Sequence, residues 1–145
     1  VIFKIGPYHR NVARSILKSP KYYFYDTGQV MGDSGTKLEN LTACALLKEI
    51  HAMEDCFGDE VKLYYLKTKN NREIDFFVTR DEAPFLMIEV KWADDTLSRN
   101  FSIFSKYFPG TKKVQIVKNL HREKTYPDGT EIRSAHNWLA NFSLT

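Results

Sequence analysis

From residue 36 to 53 the apolar positions recur at helical spacing. At about 100° per residue, Ala43, Leu46, Leu47, Ile50 and Met53 fall on one stripe. Thr36 and Glu39 have the spacing of a capping box, so the helix is predicted to begin at Thr36, and Gly58 ends the unit. The period then shortens to that of strands. Residues 61–67, 73–79 and 85–92 read as three strands, with turns at Asn70-Asn71 and over residues 80–84. A second helix is predicted over residues 96–107, with Leu97, Phe101, Phe104 and Phe108 as its apolar positions and Pro109-Gly110 as its stop. A fourth strand follows at 113–118. The chain then turns polar, with a turn at Pro127-Asp128-Gly129 and a short helix at 135–142.

The start is less regular. An apolar stretch at residues 1–5 is broken by Gly6-Pro7, and residues 11–18 suit one or two helical turns before Pro20. Residues 22–25 form an aromatic strand, Asp26-Thr27-Gly28 a turn, and residues 32–35 a loop. The chain opens at Val1 in mid-flow. Residues 1–20 are therefore expected to be a linker or the end of a preceding domain, and 21–145 one domain of a larger protein. The order helix, three strands, helix, strand, helix describes an α/β fold with a mixed sheet and helices packed on it. The meander should be antiparallel, and the step from 85 to 118 a parallel right-handed crossover.

Composition narrows the picture only a little. With 145 residues, 43% hydrophobic and 27% charged, the chain can bury one core without staples. A net charge of +3 permits a nucleic-acid partner without demanding one. Cys44 and Cys56 match no zinc, redox or disulfide pattern, which points to a reduced, cytoplasmic setting. No apolar run approaches the ~18 residues of a membrane span, so no membrane partner is expected. His9, His51, His121 and His136 lack ligand spacing, and no Walker A pattern occurs.

The chemistry concentrates on the second and third strands. Ile88-Glu89-Val90-Lys91 puts Glu89 and Lys91 on one strand face. Ile74-Asp75-Phe76 alternates likewise, so Asp75 points away from its two apolar neighbours and can meet Glu89 if the strands pair as a hairpin. Two carboxylates so placed repel unless a proton or cation sits between them. Mg²⁺ suits them, and the Lys91 ammonium could orient the attacking water and offset phosphate charge. The plainer reading is a solvated Glu89–Lys91 pair worth at most ~1 kcal/mol. Against it stands the apolar run up to Met87, which marks a central strand covered on both faces. Glu39 lies within the apolar stripe of its helix, where a carboxylate is costly unless paired or liganded; the alternative is a capping role toward Thr36.

The ordered set Glu39, Asp75 and Glu89-Val90-Lys91 resembles the PD-(D/E)XK nuclease superfamily, although Ile74 stands where the superfamily usually has Pro. More narrowly, four segments resemble the C-terminal domain of unknown function that follows the ATPase domain in many bacterial and archaeal AAA-type ATPases. They are residues 21–28, Leu38-Glu39-Asn40, residues 72–76 and residues 88–92. The resemblance covers roughly residues 20–120. It implies a restriction-endonuclease-like fold, with Glu39, Asp75 and Glu89 as ligands of Mg²⁺ or Mn²⁺. Asp75, Glu89 and Lys91 would be the catalytic residues.

The expected function is metal-dependent phosphodiester hydrolysis, with nucleic acid, DNA by preference, and an N-terminal ATPase domain of the same chain as partners. The alternative is a non-catalytic DNA- or protein-binding or regulatory module with the same site idle. Arg72 and Glu73 flank the site as substrate contacts or solvated hairpin charges. Lys112 and Lys113 precede a strand and could meet phosphate, but read rather as edge protection or solvated charge.

Overall fold

The longest apolar stripe becomes the longest helix. In the computed structural model, which describes residues 1–9 and 19–144, helix α1 spans Ser34–Phe57. Its N-cap is Asp33, whose Oδ1 accepts from both the backbone N–H and the hydroxyl of Thr36, each at 2.8 Å. The capping box read from Thr36 and Glu39 is thereby overturned. Asp33 already satisfies the first turn, and Glu39 turns elsewhere. Gly58 closes the helix in the left-handed region at φ 70°, which glycine adopts freely.

Among the described residues, eight strands form two sheets. Strands β1 (Ile2–Ile5) and β2 (Lys21–Phe24) make an antiparallel pair packed on α1 and β3. The segment expected to be a linker or a preceding domain's end thus holds β1, with Ile5 and Pro7 buried. The predicted turns at 11–18 lie outside the described residues. The large sheet contains β3 (Val61–Lys67), β4 (Glu73–Arg80), β5 (Ala83–Lys91), β6 (Lys112–Val117), β7 (Lys124–Thr125) and β8 (Glu131–Ser134), in spatial order β3-β4-β5-β6-β8-β7. The β3-β4-β5 meander is antiparallel, β5-β6 and β6-β8 are parallel, and β7-β8 is antiparallel. The β7-β8 hairpin was hidden by the polar composition of residues 118–131. β8 buries only Ile132 within it, so no alternating run announces the strand.

Alternation along the central strands builds two cores. Phe76, Val78, Leu86, Ile88, Val114 and Ile116 pack toward Leu46, Ile50 and Met53 of α1. Ile74, Phe77 and Met87 pack on the opposite face against Phe101 and Phe104. Those two belong to α2, which spans only Asn100–Ser105, well short of the predicted 96–107. Buried Gln115 of β6 explains the shortening. Its amide oxygen accepts from Ser98 N–H (2.8 Å), and its nitrogen donates to the carbonyls of Thr96 (2.9 Å) and Asp94 (3.3 Å). Backbone groups that would have made the helix's first turn are spent on Gln115 instead. Helix α3 (Ala135–Asn141) follows β8 without a loop.

Gln115→Leu keeps the volume and removes these bonds. It should destabilise the protein by about 1–3 kcal/mol in urea unfolding, because partly buried backbone groups are left unpaired. A neutral result would mean that water replaces the amide.

Candidate functional site

Strands β4 and β5 part company at one point. Their pairing runs from Arg80 opposite Ala83 to Phe76 opposite Ile88 and ends there. The next residues along each strand are Asp75 and Glu89. Asp75 N–H donates to Glu89 Oε1 at 3.1 Å, and Val90 N–H donates to Asp75 Oδ2 at 2.9 Å. Two carboxylates have taken the place of backbone carbonyls across the seam.

A bulge prepares the opening. In the β3-β4 pairing Tyr64 faces Phe77 and Leu66 faces Ile74, so Asp75 and Phe76 together oppose Tyr65. Two residues against one is the signature of a β-bulge, which re-aims side chains. Ile74 and Phe76 consequently serve opposite cores. The expectation that Asp75 simply alternates with two apolar neighbours on one face is corrected on this point.

Glu89 is 2% exposed. Its Oε2 accepts from Ser98 Oγ at 3.0 Å and lies 3.8 Å from Lys91 Nζ. Burial raises its proton affinity, while Lys91, Ser98 and the Asp75 N–H pull it back. Asp75 has less relief. Burial, then the charges of Glu89 and Glu39, push its carboxyl up to about 7, against weaker help from Val90 N–H and Lys21.

Glu39 approaches this pair from α1. Tyr23 hydroxyl donates to its Oε1 at 2.7 Å, and Lys21 Nζ stands 3.9 Å from the same oxygen. Burial and the Glu39 charge hold the Tyr23 hydroxyl protonated far above its ordinary range. Lys21 Nζ is also 3.4 Å from Glu73 Oε2 and sits over the Tyr65 ring, 4.9 Å from its centroid. Asn40 fixes this arrangement. Its side chain bonds both the N–H and the carbonyl of Phe24, at 2.8 and 2.9 Å, and so clips β2 to α1.

The fold therefore brings Asp75, Glu89 and Lys91 to one seam, with Glu39 within electrostatic reach but bonded to Tyr23. Among the described residues, no three His, Cys, Asp or Glu side chains gather tightly enough to hold a metal as they stand. Glu73 joins the cluster through Lys21 and through Lys67 (3.5 Å). Lys112 pairs with Glu131 (3.7 Å) and Lys113 with Asp128 (3.1 Å), both away from the seam. Lys21, Tyr23 and Asn40 lie in segments that carried the resemblance but were given no role in the site, and Ser98 escaped the sequence reading. The two-residue spacing of Lys21 and Tyr23, which places them on one face of β2, was the available signal.

Residues 34–137 match the model of a family described as a domain of unknown function (DUF4143). Domains of this family commonly follow an AAA ATPase domain. No curated protein and no solved structure matches the sequence. No helix among the described residues is long and apolar enough to cross a membrane.

The raised carboxyl of Asp75 has a definite consequence. Between its ordinary value of 3.8 and about 7, the folded state holds a proton that the unfolded state has lost. Stability should therefore fall as pH rises through that window, by at most about 4 kcal/mol. Asp75→Asn removes the charge and keeps an acceptor for Val90 N–H. Thermal melts should show the variant more stable than wild type at pH 8 and equal to it near pH 4, both taken as approximate set points. A variant destabilised at pH 8 would mean that Asp75 is ionised and well paired.

Proposed function

This chain belongs to the DUF4143 family, and we propose that it is a PD-(D/E)XK-type, restriction-endonuclease-like domain that hydrolyses a phosphodiester with Mg²⁺ or Mn²⁺. The observation that carries the reading is the opened β4-β5 seam. There a sheet gives up backbone pairing to point Asp75 and Glu89 at one gap, with Lys91 beside them.

The donor set fits a hard divalent ion. A carboxyl whose proton affinity is raised by burial first, and then by two neighbouring carboxylates, marks a place short of positive charge. Mg²⁺ is commonly bound through one or two carboxylates, with waters and substrate phosphate completing its shell. Asp75 and Glu89 meet that requirement without a third close ligand. Glu39 would complete the site once it leaves Tyr23. When bound, the ion supplies a more acidic water and neutralises phosphate charge. Lys91 would orient the attacking water and offset charge on the phosphate. Ser98 holds Glu89 in place through its 3.0 Å bond, and Tyr23 holds Glu39. Buried Phe76 and Ile88 close the seam from below against water. The partners of this reading are nucleic acid, DNA by preference, and an ATPase domain preceding it in the same chain. A reduced, cytoplasmic setting suits the free thiols of Cys44 and Cys56.

One observation favours a second reading, a binding or regulatory module with an idle site. The Lys21 ammonium already stands among Glu39 and Glu73 and supplies part of the missing charge. Calorimetric titration with Mn²⁺ separates the two. On the first reading the wild-type chain binds Mn²⁺ and cleaves nucleic acid, and chelator silences it. Lys91→Ala should keep metal binding and lose at least about a hundredfold in cleavage. Asp75→Ala should lose both. A wild-type chain that takes up no Mn²⁺ would establish the second reading.

A further inference from the structure

A second cleft lies beside the seam, on the face that carries α2. It encloses about 770 Å³ between the β3-β4 turn and the end of α2. Lys67, Lys69 and Arg72 line one wall, and Tyr8, Tyr107 and Phe108 line the other. No carboxylate is among its described lining residues.

The cationic wall is held in shape. Thr68 N–H donates to the Arg72 carbonyl at 2.9 Å, Arg72 N–H donates to Thr68 Oγ1 at 3.1 Å, and Asn71 N–H donates to the Thr68 carbonyl at 3.1 Å. Asn71 takes the left-handed conformation at φ 61°, which asparagine tolerates in tight turns. The turn therefore presents Lys69 and Arg72 on a fixed backbone. Lys67 stands 3.5 Å from Glu73. Lys69 and Arg72 form no ion pair among the described residues. The aromatic wall is equally fixed. Tyr8 meets Phe77, Phe108 and Tyr64 edge-on, with centroids 4.9, 5.5 and 5.2 Å away. Tyr107, 59% exposed, stands at the rim.

Cations on a fixed backbone, opposite aromatic rings, suit a polyanion that carries flat rings of its own. We propose that this cleft binds single-stranded nucleic acid, with phosphates along Lys67, Lys69 and Arg72 and bases stacked on Tyr107. Backbone charge and sequence-tolerant stacking are the two components of such binding. A duplex hides its base faces, and an acidic peptide has no rings to stack. The placement also deepens the nuclease reading, on which the delivery role alone rests. Arg72 precedes Asp75 by three residues, about 10 Å along an extended strand. A strand held in the cleft would run toward the carboxylates.

The test is fluorescence anisotropy of a labelled oligothymidine of about 12 nucleotides with the purified chain in EDTA. Chelator removes the metal, so the carboxylate site plays no part in the readout. Wild type should bind, and more weakly as salt rises. Lys69→Glu with Arg72→Glu should weaken binding at least about tenfold and flatten the salt slope by about 1.4. Tyr107→Ala should weaken it about tenfold with the slope unchanged, because stacking releases no counterion. All three positions are exposed, and circular dichroism checks that the variants fold. Absence of wild-type binding overturns the proposal, as does a variant set that binds like wild type. Equal affinity for duplex, or equally strong competition by polyglutamate, overturns it in favour of a general anion surface. Binding retained in EDTA without cleavage in Mn²⁺ would remove the nuclease reading and leave the cleft.

Discussion

Everything near the site depends on the exchange of hydrogen bonds across the β4-β5 seam. A buried N–H must find an acceptor. Beyond Phe76 and Ile88 the acceptors of Asp75 N–H and Val90 N–H are the carboxylates of Glu89 and Asp75. The strands can diverge only because these side chains bridge them. The same side chains can be acidic neighbours only because the strands diverge. Structure and chemistry are thus carried by the same four atoms, and a change in either residue disturbs both.

The surrounding elements bear on this seam from three directions. From one face α1 brings Glu39, held by Tyr23 and Lys21, with Asn40 clipping β2 to the helix. From the other face the loop before α2 brings Ser98 to Glu89, and Gln115 holds that loop against β6. From β3 the bulge opposite Tyr65 changes the phase of β4, so that Ile74 and Phe76 anchor separate cores. Asp75 sits at that phase change with apolar packing on both sides. This burial is the largest cause of its raised proton affinity.

Lys21 gives the cluster a second character. Its ammonium lies within 3.9 Å of Glu39 and 3.4 Å of Glu73 and rests on Tyr65. It reaches the site from a hairpin that precedes α1, not from the sheet that carries Asp75 and Glu89. A cation from the protein and a cation from solution would compete for the same field. The position of the β1-β2 hairpin is therefore tied to the charge state of the seam.

Local patterns were enough for the elements that bury one face or both. The stripe of Ala43, Leu46, Ile50 and Met53 spelled out α1, and the apolar alternation of residues 61–92 spelled out the meander. Glu89 and Lys91 could be seen as neighbours because two-residue spacing is a property of any strand. Other features came from contacts distant in sequence. Asp33 took the capping role that Thr36 and Glu39 had suggested, which left Glu39 to Tyr23. Gln115 drew off the backbone groups of residues 94–98 and cut α2 to six residues. The bulge at Asp75 and the arrival of Lys21 depend on which strands meet and in what register. Periodicity along a chain records which side chains prefer burial. It does not record which buried polar groups will find each other, because that is settled only when separate elements pack.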